Sequence, residues 1–310
     1  MTPTVSIVIL TYNSARHLPA LFESLHDQTY QSLEIIVVDN ASSDGTVAWL
    51  NTQEILPIQF IQNSENVWFA KGNNQGIQQA TGEFIYICND DIVLAPTAIE
   101  RLVRRMNQDS SIAMVGGKML KLIDGQPSHV LDSAGIVLHR SGRAVNRGEQ
   151  VADTGQFDQA EPIFGITGAG MLLRRSALER VKHGSAEYFD NDFVAYKEDS
   201  DLSWRLHRAG FSVWYEPAAV IYHARTIQQT SLAGRQDKSQ QIRAMSYRNH
   251  WWMLTKNLTS SELVKRLPWL LPYECAKLAY ACFSEWSTVR VLPETIHGLA
   301  RMRRKGYGQD

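Results

Sequence analysis

The chain has 310 residues, 44% of them hydrophobic and 20% charged, with a formal net charge of −1. That composition is globular and excludes a disordered or collagen-like chain. Three cysteines, Cys88, Cys275 and Cys282, argue against a disulfide scaffold or a cysteine-rich zinc site. The near-zero total hides a split. Residues 224–310 hold 14 Lys and Arg against 6 Asp and Glu, leaving 17 and 26 for residues 1–223. Two parts with different neighbours fit that split, the basic one suited to an anionic membrane surface or a phosphate-rich ligand. Solvated helix faces would give the same count. No signal-peptide pattern and no run of about 18 apolar residues is present, so a reducing, cytoplasmic setting is expected.

In chain order, the first hundred residues alternate between strand and helix patterns. Residues 5–10 are a continuous apolar run, as in a strand buried on both faces. Ser14 is placed to cap a helix carrying Leu18, Leu21, Phe22 and Leu25, with Pro19 an irregularity in its first turn. Strands are predicted at 34–38, 58–61 and 84–88, and helices at 46–51, 69–79 and 96–106. This alternation predicts a parallel sheet with helices on both faces. After residue 110 the rhythm changes. Strands are predicted at 111–120, 134–139 and 211–215, and a Gly-rich segment with an apolar end at 165–174. Helices are predicted at 197–209, 238–256, 260–281 and 294–305.

Ligands of open α/β sheets bind beyond the carboxyl ends of the strands. Here those ends carry Thr11-Tyr12-Asn13, Asp39-Asn40 and Asn89-Asp90-Asp91. The last is an oxygen-rich site for a hard divalent cation, or a plain strand-end turn. Glu198-Asp199-Ser200-Asp201 opens a helix. Acidic residues there complement the helix dipole, but three exceed what capping needs, and one suits a general base. His223 ends an apolar run and is a structural histidine unless the fold brings it beside Asp91. Gly168-Ala169-Gly170 permits close backbone approach or a tight bend. Lys71 suits a phosphate, and Asn73 and Asn74 a base or ribose, or all three form a polar helix start. No phosphate loop, zinc-protease helix or serine-hydrolase elbow occurs in the sequence.

Four stretches together resemble the family 2 glycosyltransferases, inverting nucleotide-sugar enzymes with the Rossmann-like GT-A fold. They are VSIVILTYNS (5–14) with EIIVVDNASSDGT (34–46), NSENVWFAKGNNQGI (63–77) with FIYICNDDIVLAP (84–96), GAGMLLRRSAL (168–178), and FVAYKEDSDLSWRLHRAGFSVWYEPAAVIYH (193–223). Among subgroups, the likeness is to bacterial rhamnosyltransferase-like enzymes of cell-surface polysaccharide synthesis. The resemblance implies a mostly parallel sheet flanked by helices over residues 1–223, with residues 224–310 a basic helical appendage. It implies a donor pocket of Thr11, Tyr12, Asn13, Asp39, Lys71, Asn74, Asn89 and Asp90. Asp91, with His223, would hold Mg²⁺ or Mn²⁺. Asp199 would be the general base, with Glu198 beside it. Gly168, Ala169, Gly170 and Trp204 would face the acceptor, while Trp204 and Arg205 would otherwise brace their helix or touch the donor phosphates. Two positions depart from the pattern. Asn89 stands where an aspartate is usual, and Trp68 where a glycine is usual, which leaves the donor open.

The chemistry implied is transfer from a nucleoside-diphosphate sugar, dTDP-rhamnose the first candidate, to a glycan or lipid-linked acceptor. No nucleic-acid partner is implied. Trp251-Trp252 and the segment 267–272, interleaved with basic residues, suit an interfacial helical part docking on the inner membrane face. A helical cap or an oligomer interface would use the same residues. A nucleotidyltransferase would need a basic loop near the N-terminus, where residues 11–16 supply only Arg16. A non-catalytic sugar-nucleotide or glycan-binding protein would lack the base or the metal ligand, and Asp91, Asp199 and His223 are all present.

Overall fold

The computed structural model describes residues 4–225 and 240–306. The Gln- and Arg-rich stretch 226–237 and the expected helix start at Lys238 lie outside the described residues. Strands β1 (Val5–Thr11), β2 (Leu33–Asp39), β3 (Gln59–Gln62) and β4 (Phe84–Asn89) lie parallel in the order β3-β2-β1-β4. Helices α1 (Leu18–His26), α2 (Thr46–Thr52) and α3 (Trp68–Gln79) connect them, and the short strand β5 (Ile92–Leu94) leads to α4 (Ala98–Met106).

Beyond them come β6 (Ile112–Ile123), β7 (Gln126–Ser133), β8 (Ile136–Leu138), β9 (Ala144–Asn146), β10 (Glu161–Pro162) and β11 (Gly170–Arg174). Helices α5 (Arg175–Val181) and α6 (Glu198–Arg208) and strand β12 (Ser212–His223) complete this part. The result is a mixed α/β fold with a central, mostly parallel sheet flanked by helices. Its antiparallel members gather in the second half, where β11 lies between β4 and β6 and opposes both.

The apolar strands are continuous in sequence because both of their faces are covered. Ile7, Ile9, Ile35, Val37, Tyr86 and Cys88 face a core shared with α1 and α4. Their neighbours Val8, Ile36, Ile85 and Ile87 face a second core, shared with α3, α5 and α6. Alternation of side chains across a strand makes this division obligatory. Gly72 and Gly76 let α3 lie directly on β1. A Cβ at Gly76 would sit 2.3 Å from Val8, and one at Gly72 would sit 2.4 Å from Leu10.

Several local expectations change. Ser14 does not cap α1, whose N-cap is His17; the Ser14 hydroxyl bonds Asp90 instead. Pro19 falls in the first turn of α1, where its missing N–H has no partner to lose. The strand expected at 211–215 continues to His223, because a bulge between Glu216 and Val220 absorbs Pro217. The strand expected at 134–139 shortens to β8, which pairs with β9 and makes a single bridge from Ile136 to Gly165. Strands β5 and β7 and helix α5 had no clear local signal.

Helices α7 (Gln240–Asn257), α8 (Ser260–Ser284), α9 (Trp286–Arg290) and α10 (Leu292–Lys305) form the C-terminal part. Of these, α7, α8 and α10 share a third core with α6, in which Phe193 and Trp204 meet Trp252, Met253, Leu254, Leu270 and Met302. Trp252 is therefore buried rather than interfacial. Gly298 of α10 makes the room, since a Cβ there would lie 2.5 Å from the indole. No helix among the described residues is long and apolar enough to cross a membrane.

Candidate active site

The carboxyl ends of β1, β2 and β4 bring three polar groups to one edge of the sheet. At the first, Thr11 and Asp39 sit side by side across the β1–β2 register. The Thr11 hydroxyl donates to Asp39 at 2.9 Å, and the Ser42 amide and hydroxyl donate at 2.9 and 2.5 Å. Asp39 is buried and its carboxylate orientation is fixed by these donors. Tyr12 and Asn13 lie above it, with Tyr12 52% exposed and Asn13 in a left-handed conformation. The Asn13 carboxamide accepts from the Ser43 amide at 2.8 Å. Trp68 opens α3 with φ +65° and is 36% exposed, and its carbonyl accepts from the Asn40 side chain at 3.3 Å. Lys71 is exposed.

At the second, β5 pairs with β12 so that His223 opposes Ile92. This register sets His223 beside Asp91, with Nε2 3.0 Å from Oδ1. On the other side of the ring, Nδ1 lies 2.8 Å from Asp132, a buried carboxylate on β7. Arg225 then binds Asp132 at 2.6 Å and Glu149 at 2.8 Å. Burial works against a charged His223, but its bonds to Asp132 and Asp91 prevail and push it up to about 9. Burial would raise Asp91, yet the His223 bond and the charges of His223 and His17 hold it below the usual carboxylate range. Burial and the Asp91 charge push Asp90 up to about 6, against the bond from Ser14.

At the third, β11 lies antiparallel to β4, with Gly170 opposite Cys88. The Ala169 carbonyl accepts from the Asn89 amide at 3.0 Å, and the Gly168 amide donates to Asp199 at 3.3 Å. Two peptide units thus join the Asn89-Asp90-Asp91 strand end to the helix start that bears Asp199. Gly168 is required here, since a Cβ would lie 2.8 Å from the Phe69 ring. Asp199 is half-buried and also accepts from the Ser200 amide at 2.6 Å. Glu198 is buried, with Oε2 lacking a hydrogen-bond partner. Burial, then the Asp199 charge, pushes Glu198 up to about 8, so it carries its proton at neutral pH.

The loop before this helix is strained. Val194, Tyr196 and Lys197 all have positive φ, between 64° and 74°. Asn249 of α7 holds it, donating to the carbonyls of Phe193, Ala195 and Tyr196 at 2.6, 2.8 and 2.9 Å. Residues 6–182 match the Glycosyl transferase family 2 profile.

The chain belongs to glycosyl transferase family 2.

Its relatives agree. The N-acetylglucosaminyl-diphospho-decaprenol L-rhamnosyltransferase of Mycobacterium tuberculosis is 24% identical over 250 residues, covering 72% of this chain and 76% of that protein. Coverage is uneven elsewhere: another curated relative, the y4gI protein of Sinorhizobium fredii, is 27% identical over 230 residues, 72% of this chain but only 24% of its own length. Among solved structures, S. aureus TarS 1–349 in complex with UDP-GlcNAc gives a TM-score of 0.60 at 16% identity, covering 98% of this chain and 84% of that one. The mannosyltransferase PcManGT from Pyrobaculum calidifontis, in complex with GDP-Man and Mn²⁺, gives 0.57 at 19% identity, covering 98% and 83%. These structures share the GT-A fold with this family 2 chain.

Asn74 and Trp204, expected at the donor and acceptor, and Arg205, expected to brace its helix or touch phosphates, are engaged with polypeptide. Asn74 is buried, and its amide binds the Phe189 carbonyl at 2.7 Å and the Tyr188 and Phe189 amides at 3.1 and 2.9 Å. It braces that loop and lines no ribose pocket. Trp204 is buried in the third core, edge-on to Phe164, and does not face an acceptor. Arg205 is fully buried and donates to Asp201 and to the Val181 and Tyr188 carbonyls, so it braces its helix rather than touching phosphates.

Sequence reading also missed Asp132, Asn249 and Lys256, which come from distant segments and carry no local signature. Lys256 of α7 is fully buried, 2.6 Å from Asp190 and 2.8 Å from Asp201. Lys305 of α10 lies 2.7 Å from Asp190. His183, Asp190 and Asp201 also have metal-ligand spacing, but Lys256, Arg205 and Lys305 already supply the positive charge there. Replacing Lys256 by Met leaves two buried carboxylates short of a cation. The expected cost is about 3–5 kcal/mol, read as a lower urea midpoint. An unchanged midpoint would show that this cluster does not tie α7 to α6.

Proposed function

We propose that this chain is an inverting glycosyltransferase. It moves a sugar from a nucleoside-diphosphate donor to a glycan or lipid-linked acceptor in cell-surface polysaccharide synthesis. The observation that carries this reading is the link through Gly168 and Ala169, which ties Asp199 to the β4 end that bears Asp91, beside which β12 sets His223. Residues 1–223 form the donor-binding and catalytic part in this reading, with residues 224–310 its helical appendage.

The residues fit a divalent cation, Mg²⁺ or Mn²⁺. Asp132 engages Nδ1 of His223, which directs Nε2 toward the Asp91 carboxylate, and a carboxylate behind the imidazole is the usual support of a metal-binding histidine. Asp91 and His223 would hold the ion, with Asp90 adjacent. When bound, it supplies positive charge against the diphosphate as that group departs.

The chain's own residues do the rest. Asp39 and Thr11 form the floor beneath the nucleoside, and Tyr12, Asn13, Trp68 and Lys71 stand at the rim. Asn89 and Asp90 border the sugar. Asp199 takes the proton from the acceptor hydroxyl as its oxygen bonds the anomeric carbon. The bond from that carbon to the diphosphate oxygen breaks on the opposite side, which inverts the centre. Burial and the Asp199 charge favour the protonated form of Glu198 beside the base. Orientation of acceptor and donor accounts for much of the acceleration.

The test is a thermal-shift screen of dTDP-rhamnose, UDP-GlcNAc and GDP-mannose with and without Mn²⁺. One donor at about 100 times its Kd should stabilise the protein by about 2.7 kcal/mol, a rise of several degrees, and only with the ion. If no donor moves the transition under any condition, the transferase reading falls. A lipid-linked acceptor presents its sugar at a membrane surface, and the proposal includes peripheral contact there.

A further inference from the structure

Helix α8 is 25 residues long, yet only Leu270, Glu274 and Ala281 are buried in it. It is fixed along one side, where Arg266 donates to the His139 carbonyl and Arg140 stacks over Trp269. The rest of its surface is open and apolar. Of the fourteen large hydrophobic side chains exposed among the described residues, ten lie between Leu263 and Ile296. Val264, Leu267, Leu271 and Leu278 repeat at helical spacing on one face of α8. Phe283, in the last turn of α8, and Trp286, which opens α9, are 91% and 62% exposed. A cluster of this size marks an interaction surface.

The surface charge around it is mainly positive, because its acids are paired. Every acid on α8, α9 and α10 and in the link between α8 and α9 is held by a group of the protein. Glu262 pairs with Arg208, Glu274 with His250, and Glu294 with Arg248, while Glu285 accepts from Thr288. Lys265, Arg290 and Arg304 are exposed. The outer surface of these helices therefore offers apolar side chains together with positive charge. A second copy docking on the same face would set those cations against each other, because a two-fold interface opposes like patches. A surface of phosphate headgroups over hydrocarbon matches both features.

We propose that the outer face of α8 and α9 seats this protein on an anionic lipid bilayer, lying in the interface without crossing it. The inference deepens the membrane contact named in the proposed function, and it is read without any donor or acceptor. Failure of the donor screen would leave it standing, and its own failure would leave the transferase reading standing.

The test is co-sedimentation of the full chain with phosphatidylcholine vesicles and with vesicles also containing phosphatidylglycerol. Wild type should bind the anionic vesicles at least about tenfold better, and binding should weaken as salt rises. Leu271→Glu with Phe283→Glu should reduce binding about tenfold or more. Lys265→Glu with Arg290→Glu should remove the preference for anionic lipid. All four positions are exposed, so unchanged thermal transitions verify the folds. Wild-type salt dependence stands as a second readout if a variant fails to fold. Equal sedimentation with both vesicle types would overturn the proposal. So would apolar variants that bind like wild type, or a solution dimer that those variants dissolve.

Discussion

Asp199→Asn is expected to lower kcat by about 10²–10⁴-fold, the usual contribution of a positioned general base. The substitution is close to isosteric. The remaining amide oxygen still accepts from the Ser200 amide, and only the 3.3 Å bond from Gly168 is lost. Donor KM should therefore change little, since the loss falls in the transition state. Glu198 complicates the result in a predictable direction. With the Asp199 charge gone, the second of the causes that push Glu198 up to about 8 disappears, while burial, the largest, still holds it above its ordinary value. Glu198 then ionises at lower pH than in wild type, and residual activity should rise across that range. A variant that keeps wild-type turnover would remove Asp199 from the base role.

Asp91→Ala is expected to have an effect of the same order. It should abolish the Mn²⁺-dependent part of the donor's thermal shift and lower turnover by about 10³-fold, several kcal/mol of charge stabilisation. Asp132→Asn gives a graded control. Among the described residues, Asp132 binds the far nitrogen of His223, at 2.8 Å, and Arg225. Loss of that support should weaken ion affinity about 10–100-fold without eliminating it. Titration of Mn²⁺ against donor-dependent stability separates the three proteins. If Asp91→Ala titrates like wild type, the ion does not sit at Asp91. If Asp91→Ala fails but Asp132→Asn does not differ from wild type, His223 is not oriented by that contact.

The sequence by itself determined the first half of this protein. Strands β1, β2 and β4 are short apolar runs, each ending in a polar cluster. Burial on both faces of a parallel sheet demands such runs, so local composition alone reveals them. Their polar ends place Thr11, Asp39 and Asp91 at one edge of the sheet. The acidic opening of α6 marked that turn as unusual, because three carboxylates exceed the needs of a helix start, but spacing did not single out one of them.

Tertiary structure alone decided which polar residues face a ligand and which hold the protein together. Asn74, Trp204 and Arg205 belong to informative motifs, yet their partners are the 188–191 loop, the third core and the carbonyls of Val181 and Tyr188. A motif records residue type and spacing, and it does not record what packs against each side chain. His223 shows the converse. Alone in sequence it has no assignable role, and only the antiparallel pairing of β5 with β12 brings it to Asp91. Asp132, Asn249 and Lys256 were invisible for the same reason, since each acts on a partner more than 50 residues away. Charge counting found the basic C-terminal part. Burial then divided its aromatics, placing Trp252 in the core and leaving Trp286 outside. That division depends on which helix lies opposite each indole, a property of the assembled chain and not of any local segment.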